Sequence, residues 1–227
     1  ATEPAPFLPS ADVVVVIGGD GTLLSVALGC PADTPVAGIN MGTLGFLTEH
    51  ASEHAMALLD DLLAGAVAVE QRDRLRVVVG DGSEVPEFLV LNDAVINKAA
   101  LARILAIHVE VAGEHLTRYR ADGLILATPT GSTAYNLSAG GPIVHPGLAA
   151  LMITPICPHT LSNRPLVVPL GVEVVVWVGT GDEGVYLTLD GQHWIPLQPG
   201  VRIRVDASKE PLSLGRDSRY SFFSTLR

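Results

Sequence analysis

An α/β domain followed by a β-rich domain is what this 227-residue sequence predicts. Two observations carry the prediction. Up to Gly65, strand-like and helix-like segments alternate, the mark of an α/β layer. Beyond about residue 70, short apolar runs alternate with turn residues, which reads as mostly antiparallel sheet in two packed layers.

The elements follow in order. Residues 12–17 form the first strand. Past Asp12 they are apolar without alternation, the pattern of a strand covered on both faces in a parallel sheet. Residues 22–29 suit a short helix, with Gly29 and Pro31 as stop signals. Residues 35–39 are a second apolar strand. After the turn at Asn40-Met41-Gly42, residues 53–63 carry helical spacing (Ala55, Leu58, Leu59, Leu62), and Gly65 ends them. The β-rich part offers strands at 74–79, 88–96, 104–111, 124–127, 166–168, 172–178, 185–189 and 201–205. Asp81-Gly82 and Gly181-Asp182 are hairpin turns. One helix near 132–139 interrupts this half. The predicted domains are residues 1–70 and 71–210, with residues 211–227 expected to fold back onto the first.

Composition narrows the function. Hydrophobic content is 48% and charged content 17%, as in a folded globular protein. The sequence shows no apolar run of membrane-spanning length and no signal-peptide pattern, so no membrane partner is expected. Cys30 and Cys157 lack the spacing of a disulfide framework or zinc site, which fits a reducing cytoplasm. The net charge of −10 argues against nucleic acid. It also means that any bound polyanion needs local compensation from backbone N–H groups, a metal ion or placed arginines. Only Lys98 and Lys209 are lysines, and neither follows a glycine, so the P-loop pattern is absent.

Two glycine-rich stretches carry the chemistry. The first, Gly18-Gly19-Asp20-Gly21-Thr22, directly follows the first strand. Such a loop lies where α/β proteins bind ligands, and its bare backbone suits a phosphate. Asp20 would repel that phosphate unless it holds a metal or accepts a proton from an attacking hydroxyl. The plainer alternative is a tight turn with Asp20 as a helix cap. The second stretch runs from Asp122-Gly123 to Asn136. It sets Thr130, Ser132 and Thr133 around Gly131, with Ala134 and Tyr135 next. Hydroxyls at a helix start suit phosphate or ribose, and an ordinary capped helix is the alternative. Asn92-Asp93 sits inside an apolar run, where adjacent polar groups are costly unless paired. The pair could clamp a ribose diol, or mark a bulge. Arg120, two residues before Asp122, stands near the ligand or on an open strand surface. The seven histidines have no metal-ligand spacing.

With these pieces in order, the chain closely resembles the NAD kinases. The matching segments are Gly18-Gly19-Asp20-Gly21-Thr22, Asn40-Met41-Gly42-Thr43-Leu44-Gly45-Phe46-Leu47, Leu91-Asn92-Asp93, Asp122-Gly123 through Gly140-Gly141-Pro142, Arg164-Pro165 and Asp190-Gly191-Gln192. The block 128–142 is the most specific. The resemblance implies a Rossmann-like N-terminal domain and a β-sandwich-like C-terminal domain that binds NAD. It implies transfer of the ATP γ-phosphoryl group, or one from polyphosphate, to the 2′-hydroxyl of the adenosine ribose of NAD. Mg²⁺ or another divalent ion would accompany the nucleotide, and subunits would form dimers or tetramers. Asp20 matches the family's catalytic aspartate, and Gly18, Gly19, Gly21 and Thr22 its phosphate loop. Asn92 and Asp93 match the adenosine-binding pair, with Asp93 where most members have glutamate. Asp122 matches a residue near the nicotinamide amide. Thr130, Thr133, Ala134 and Tyr135 match residues lining the NAD site, and Phe46 a wall of the adenine pocket. Asp190 resembles a residue reached from a neighbouring subunit. The family's first strand-helix unit has no counterpart ahead of Asp12 in this sequence. A lipid kinase shares the first motif but not the second block. A non-catalytic dinucleotide-binding module would bind NAD without making NADP.

Overall fold

Residues 10–42, 45–81, 85–99, 103–159, 164–179, 184–217 and 219–227 are described by the computed structural model. Both predicted hairpin turns, at Gly82 and at Gly181-Asp182, fall outside the described residues, as do Thr43 and Leu44. The chain divides into two compact units, Ala1–Arg72 with Glu210–Arg227, and Asp73–Lys209.

The first unit contains β1 (Val14–Ile17), α1 (Asp20–Ala27), β2 (Val36–Asn40), β3 (His50–Ala51), α2 (Ala55–Leu63) and β4 (Ala68–Arg72). It ends with β17 (Leu212–Arg216) and α4 (Phe222–Leu226). The sheet order is β1-β2-β17-β4, with β3 also beside β2. The strands β1, β3 and β17 run parallel to β2, and β4 is antiparallel to β17. The chain's last strand therefore lies inside the sheet of its first domain. Leu212 and Leu214 of β17 are fully buried there, as are Val36 and Ala37. Ionic contacts reinforce it: Arg216 reaches Glu49 at 2.8 Å and Glu70 at 2.5 Å. Burial pushes the Glu49 carboxyl up, and the Arg216 charge opposes that shift.

The first strand departs from expectation. Val14 and Val16 are buried, but Ile17 is 65% exposed. Among the described residues β1 pairs only with β2, so it is an edge strand and its last residue opens to solvent.

The second unit is a sandwich of two six-stranded sheets. One has the order β6 (Glu87–Val90), β5 (Leu75–Val79), β16 (Arg202–Ala207), β13 (Val174–Val178), β8 (Leu105–Val111), β9 (Glu114–Ala121). The other has the order β12 (Leu166–Pro169), β11 (Ala150–Ile156), β10 (Gly123–Ala127), β7 (Asp93–Lys98), β14 (Val185–Leu189), β15 (His193–Leu197). All pairs are antiparallel. The inward-facing Val, Ile and Leu side chains of both sheets fuse into one apolar core, with Leu75, Ile107, Leu124, Leu151 and Val176 near its centre.

Two details of this unit position the site. The run 88–96, expected as one strand, is broken at Leu91-Asn92. Strand β6 belongs to one sheet and β7 to the other, so the chain changes sheets at the Asn92-Asp93 pair. It changes sheets again at Asp122, between β9 and β10. The helix expected near 132–139 is instead a 3-10 turn, Thr130–Thr133, then α3 (Tyr135–Ser138), with Ala134 non-helical between them. This segment lies over the outer face of β7, β10 and β11, where Val95, Ile125, Ala127 and Met152 form a small second core with Val144.

Candidate active site

In the first unit, Gly19 caps α1 without a side-chain bond, and Asp20 is its first helical residue. Gly19, Gly21 and Thr22 are exposed, and a Cβ on either of those glycines would meet open space. Gly18 is different, because a Cβ there would stand 2.6 Å from Thr22 Oγ1. The loop thus offers bare backbone at the positive end of an eight-residue helix, which suits an anion.

The Asp20 carboxylate is held by the segment Phe46–Thr48. Its Oδ2 accepts from the Phe46 N–H at 2.9 Å. Its Oδ1 accepts from the N–H groups of Leu47 at 3.2 Å and Thr48 at 2.9 Å, and from the Thr48 hydroxyl at 2.9 Å. None of these is a capping bond to α1. Four donors on one carboxylate disperse its charge, which lessens the repulsion expected beside a phosphate. A carboxylate has about four lone-pair positions, two per oxygen. Oδ1 is therefore filled, and Oδ2 keeps one position for a further donor. The loop can come this close only because residue 45 is glycine, since a Cβ there would sit 2.1 Å from Asp20 Oδ1. Phe46, expected as a hydrophobic wall, is half-buried with its ring 6.0 Å from that of Phe222 on α4.

In the second unit, the chain crossing at Leu91-Asn92 is held by Asp190. The carboxylate of this 5% exposed residue accepts from the N–H groups of Leu91 at 2.8 Å, Asn92 at 2.7 Å and Asp93 at 3.0 Å. In return the Asp190 N–H donates to the Asp93 carbonyl at 2.9 Å. Asp190 thus spends its carboxylate on its own chain's backbone. Burial raises its pKa to about 6 against the pull of those three N–H groups.

Among the described residues, the acceptor oxygens so presented receive no hydrogen bond. Asn92 Oδ1 is buried without a hydrogen-bond donor. Asp93 is 5% exposed, and among the described residues nothing donates to its carboxyl. Burial, with the Asp190 charge adding to it, pushes Asp93 up to about 7. Two adjacent acceptors therefore wait for donors. Tyr135 is 42% exposed, and its hydroxyl pKa is raised by burial, with Cys157, Asp93 and Asp122 close enough to add to the effect. Asp122 pairs with Lys98 at 3.0 Å.

Not every predicted hydroxyl is free. Ser132 Oγ has the carbonyls of Pro129 at 2.6 Å and Val144 at 3.0 Å as acceptors for its one proton, and it accepts from the Val144 N–H, so it fastens the loop. Thr133 Oγ1 reaches the Thr130 carbonyl at 3.5 Å, at the limit of a hydrogen bond, so this hydroxyl remains available. Thr130 is buried and Ala134 half-buried. Arg120 is exposed on β9. Several framework residues of this stretch have no role assigned to them by the sequence pattern. Thr128 Oγ1 bridges the Leu91 carbonyl and the Gly131 N–H. Asn136 ties Ser132 and Pro142 through its amide nitrogen, and its oxygen accepts from Thr154. Gly131 packs directly on the crossing: a Cβ would stand 2.1 Å from the Asn92 carbonyl oxygen. Gly131→Ala is expected to cost about 2–3 kcal/mol by displacing that backbone, as read by denaturant unfolding.

No group of three or more His, Cys, Asp or Glu side chains among the described residues could hold a metal. No helix among the described residues is long and apolar enough to cross a membrane.

Known proteins show the same two halves. The ATP-NAD kinase N-terminal domain matches residues 7–67, and the ATP-NAD kinase C-terminal domain matches residues 91–216. An NAD kinase of Geobacter sulfurreducens is 50% identical, covering 99% of this chain and 79% of its own. An NAD kinase of Moorella thermoacetica is 47% identical over 96% of this chain and 70% of its own. Among solved structures, yeast NADH kinase complexed with NADH superimposes with a TM-score of 0.89 at 32% identity, over 95% of this chain and 64% of that one. An Archaeoglobus fulgidus NAD kinase in complex with ATP gives 0.86 at 29% identity, over 100% of this chain and 87% of that one. With both family domains matched in order and half of its residues shared along almost its whole length, this chain belongs to the NAD kinase family.

Proposed function

We propose that the protein transfers the γ-phosphoryl group of ATP, or a terminal phosphoryl of polyphosphate, to the 2′-hydroxyl of the adenosine ribose of NAD, giving NADP. The observation that carries this reading is the Asn92-Asp93 pair, two adjacent acceptors with no donor among the described residues. Ribose hydroxyls and an adenine amine are donors of that number and kind. Thr130, Thr133, Ala134, Tyr135 and Asp122 line the rest of the NAD surface in this proposal. Arg120 is a cation for the pyrophosphate.

Gly18, Gly19, Gly21 and Thr22 receive the donor's phosphates through backbone amides at the start of α1. Asp20 orients the attacking hydroxyl and takes its proton on Oδ2. The new P–O bond forms as the bond to the leaving ADP or shortened polyphosphate breaks. Phosphoryl transfer asks little covalent chemistry of the protein, so a well-solvated carboxylate suffices if it is fixed in place. A divalent ion bound with the donor would supply positive charge to its phosphates. A cytoplasmic, homo-oligomeric enzyme is part of the same proposal, and neither Cys30 nor Cys157 is in a disulfide, as a reducing compartment allows.

The test is NADP formation from NAD with Mg²⁺ and either ATP or polyphosphate. NAD binding without NADP from either donor would overturn the proposal in favour of a binding module.

Asp93 adds a pH dependence. Its folded pKa, about 7, lies above its ordinary value of 3.8. The stabilising state is the protonated one, so the contribution is full below pH 4 and is lost as pH rises through 7. Asp93→Asn is expected to gain about 2–4 kcal/mol relative to wild type between pH 4 and pH 7.5, read from paired denaturant melts. NAD affinity of the wild type is expected to rise over pH 6–8, as the carboxylate that accepts the ribose hydroxyls becomes ionised. A flat titration in both measurements would show that Asp93 is not buried as found.

A further inference from the structure

We propose that Thr48 is a positioning residue for phosphoryl transfer, acting through Asp20, and that Asn40 fixes the direction of its hydroxyl proton. The proposal rests on Asp20 as the group that meets the attacking hydroxyl. The three side chains form a line inside the first unit. Asn40 Nδ2 donates to Thr48 Oγ1 at 2.8 Å, and Thr48 Oγ1 donates to Asp20 Oδ1 at 2.9 Å. Asn40 is 5% exposed and Thr48 is fully buried, so water does not compete for either bond.

The proton directions follow from one backbone group. The Gly42 N–H can only donate, and it points at Asn40 Oδ1 at 2.7 Å. That fixes the Asn40 oxygen toward Gly42 and its NH₂ toward Thr48. The Thr48 oxygen then receives a proton from Asn40, so its own single proton is free to go only to Asp20. The chain Gly42–Asn40–Thr48–Asp20 is therefore polar in one direction. It loads Oδ1, together with the Leu47 and Thr48 N–H groups, and leaves Oδ2 as the oxygen with a vacant lone pair. The consequence is orientation: the carboxylate cannot swing so that a filled oxygen meets the substrate. Asp20 is the first residue of α1, so its backbone is fixed and only its two side-chain torsions need this control.

Thr48 also fastens the loop through its N–H, which a substitution of the side chain leaves intact. Thr48→Val removes the hydroxyl at nearly constant volume, and Thr48→Ser keeps it. Steady-state kinetics on both, with thermal melts to confirm folding, form the experiment. Thr48→Ala repeats the test if the valine variant does not fold. Thr48→Val is expected to lower kcat about 10- to 100-fold with KM for NAD changed less than about 3-fold, the mark of a misplaced reacting group. Thr48→Ser is expected to restore kcat to within about 3-fold of wild type. In an Asp20→Asn background, Thr48→Val is expected to cause no further loss of the residual rate. A valine variant with wild-type kcat overturns the proposal, as does a serine variant as slow as the valine, or an undiminished loss in the Asp20→Asn background. Wild-type turnover by Asp20→Asn itself would instead remove the role assigned to Asp20, a separate failure.

Discussion

Asp20→Asn is expected to lower turnover by about 10²- to 10⁴-fold, the range for a group that handles the proton of an attacking hydroxyl. The structure adds a second effect that the sequence does not suggest. An asparagine has one side-chain oxygen where aspartate has two. If that oxygen takes the place of Oδ1, it keeps the donors from Leu47 and Thr48, and the new NH₂ faces the Phe46 N–H. One backbone donor then loses its acceptor, at a cost of about 1–3 kcal/mol. The variant is therefore expected to fold, to melt a few degrees lower and to retain NAD affinity within a few-fold, because the NAD contacts proposed for Asn92 and Asp93 are untouched. The combination matters. A large loss of kcat with a small loss of stability and intact binding identifies a chemical role. A large loss of stability with proportionate loss of activity would make Asp20 a fastening for the loop alone. Wild-type turnover would remove it from the chemistry altogether.

How much of this could be read beforehand depends on the kind of signal each residue leaves. The α/β order of the first domain and the strand-rich second one were legible, because burial imposes apolar runs and turns impose Gly, Pro and Asp. The break between β6 and β7 was not. Residues 88–96 look like one strand, since the residues on both sides of Asn92-Asp93 are equally apolar. They are equally apolar because both halves feed the same core from different sheets, Phe88 and Val90 from one, Ala94 and Ile96 from the other. The strand β11 was also missed, although all seven of its residues are buried, because Pro155 argues against a central strand. The segment 128–142 was recognisable as a site by its composition, yet composition does not say which hydroxyl is inward. Ser132 fastens the loop, and Thr133, one residue on, is only half-buried. Thr48 and Asn40 are the clearest case. Asn40 opens a conspicuous motif and Thr48 directly follows it. Their connection to Asp20 depends on how three separate chain segments meet, which no local pattern encodes.

Asp190→Ala is expected to destabilise the protein by more than about 3 kcal/mol, because it orphans three backbone N–H groups at once. Two causes combine there, and Asp190→Asn separates them. Asp190 has φ of 49°, a conformation that alanine adopts at a penalty and asparagine tolerates. The asparagine variant thus isolates the hydrogen bonds. Its single oxygen can replace Oδ1, which serves Asn92 and Asp93, and leaves the Leu91 N–H facing an NH₂. A loss of about 1–3 kcal/mol is expected, less than for alanine. The substitution also removes the negative charge that helps to raise Asp93. The Asp93 carboxyl then ionises at lower pH, and the pH midpoint of NAD binding should move in the acid direction, even though a looser crossing weakens binding overall. These two signatures answer a question that the family resemblance leaves open, namely whether this residue serves the dinucleotide from a neighbouring subunit. A residue acting across a subunit contact would, on substitution, weaken NAD binding while the melting temperature and the acid midpoint stayed at their wild-type values. A residue holding the Asn92-Asp93 crossing of its own chain must change all three. Unfolding curves and NAD titrations at several pH values on the Asn and Ala variants decide between them, and the three N–H groups gathered on one buried carboxylate are the reason to expect the second result.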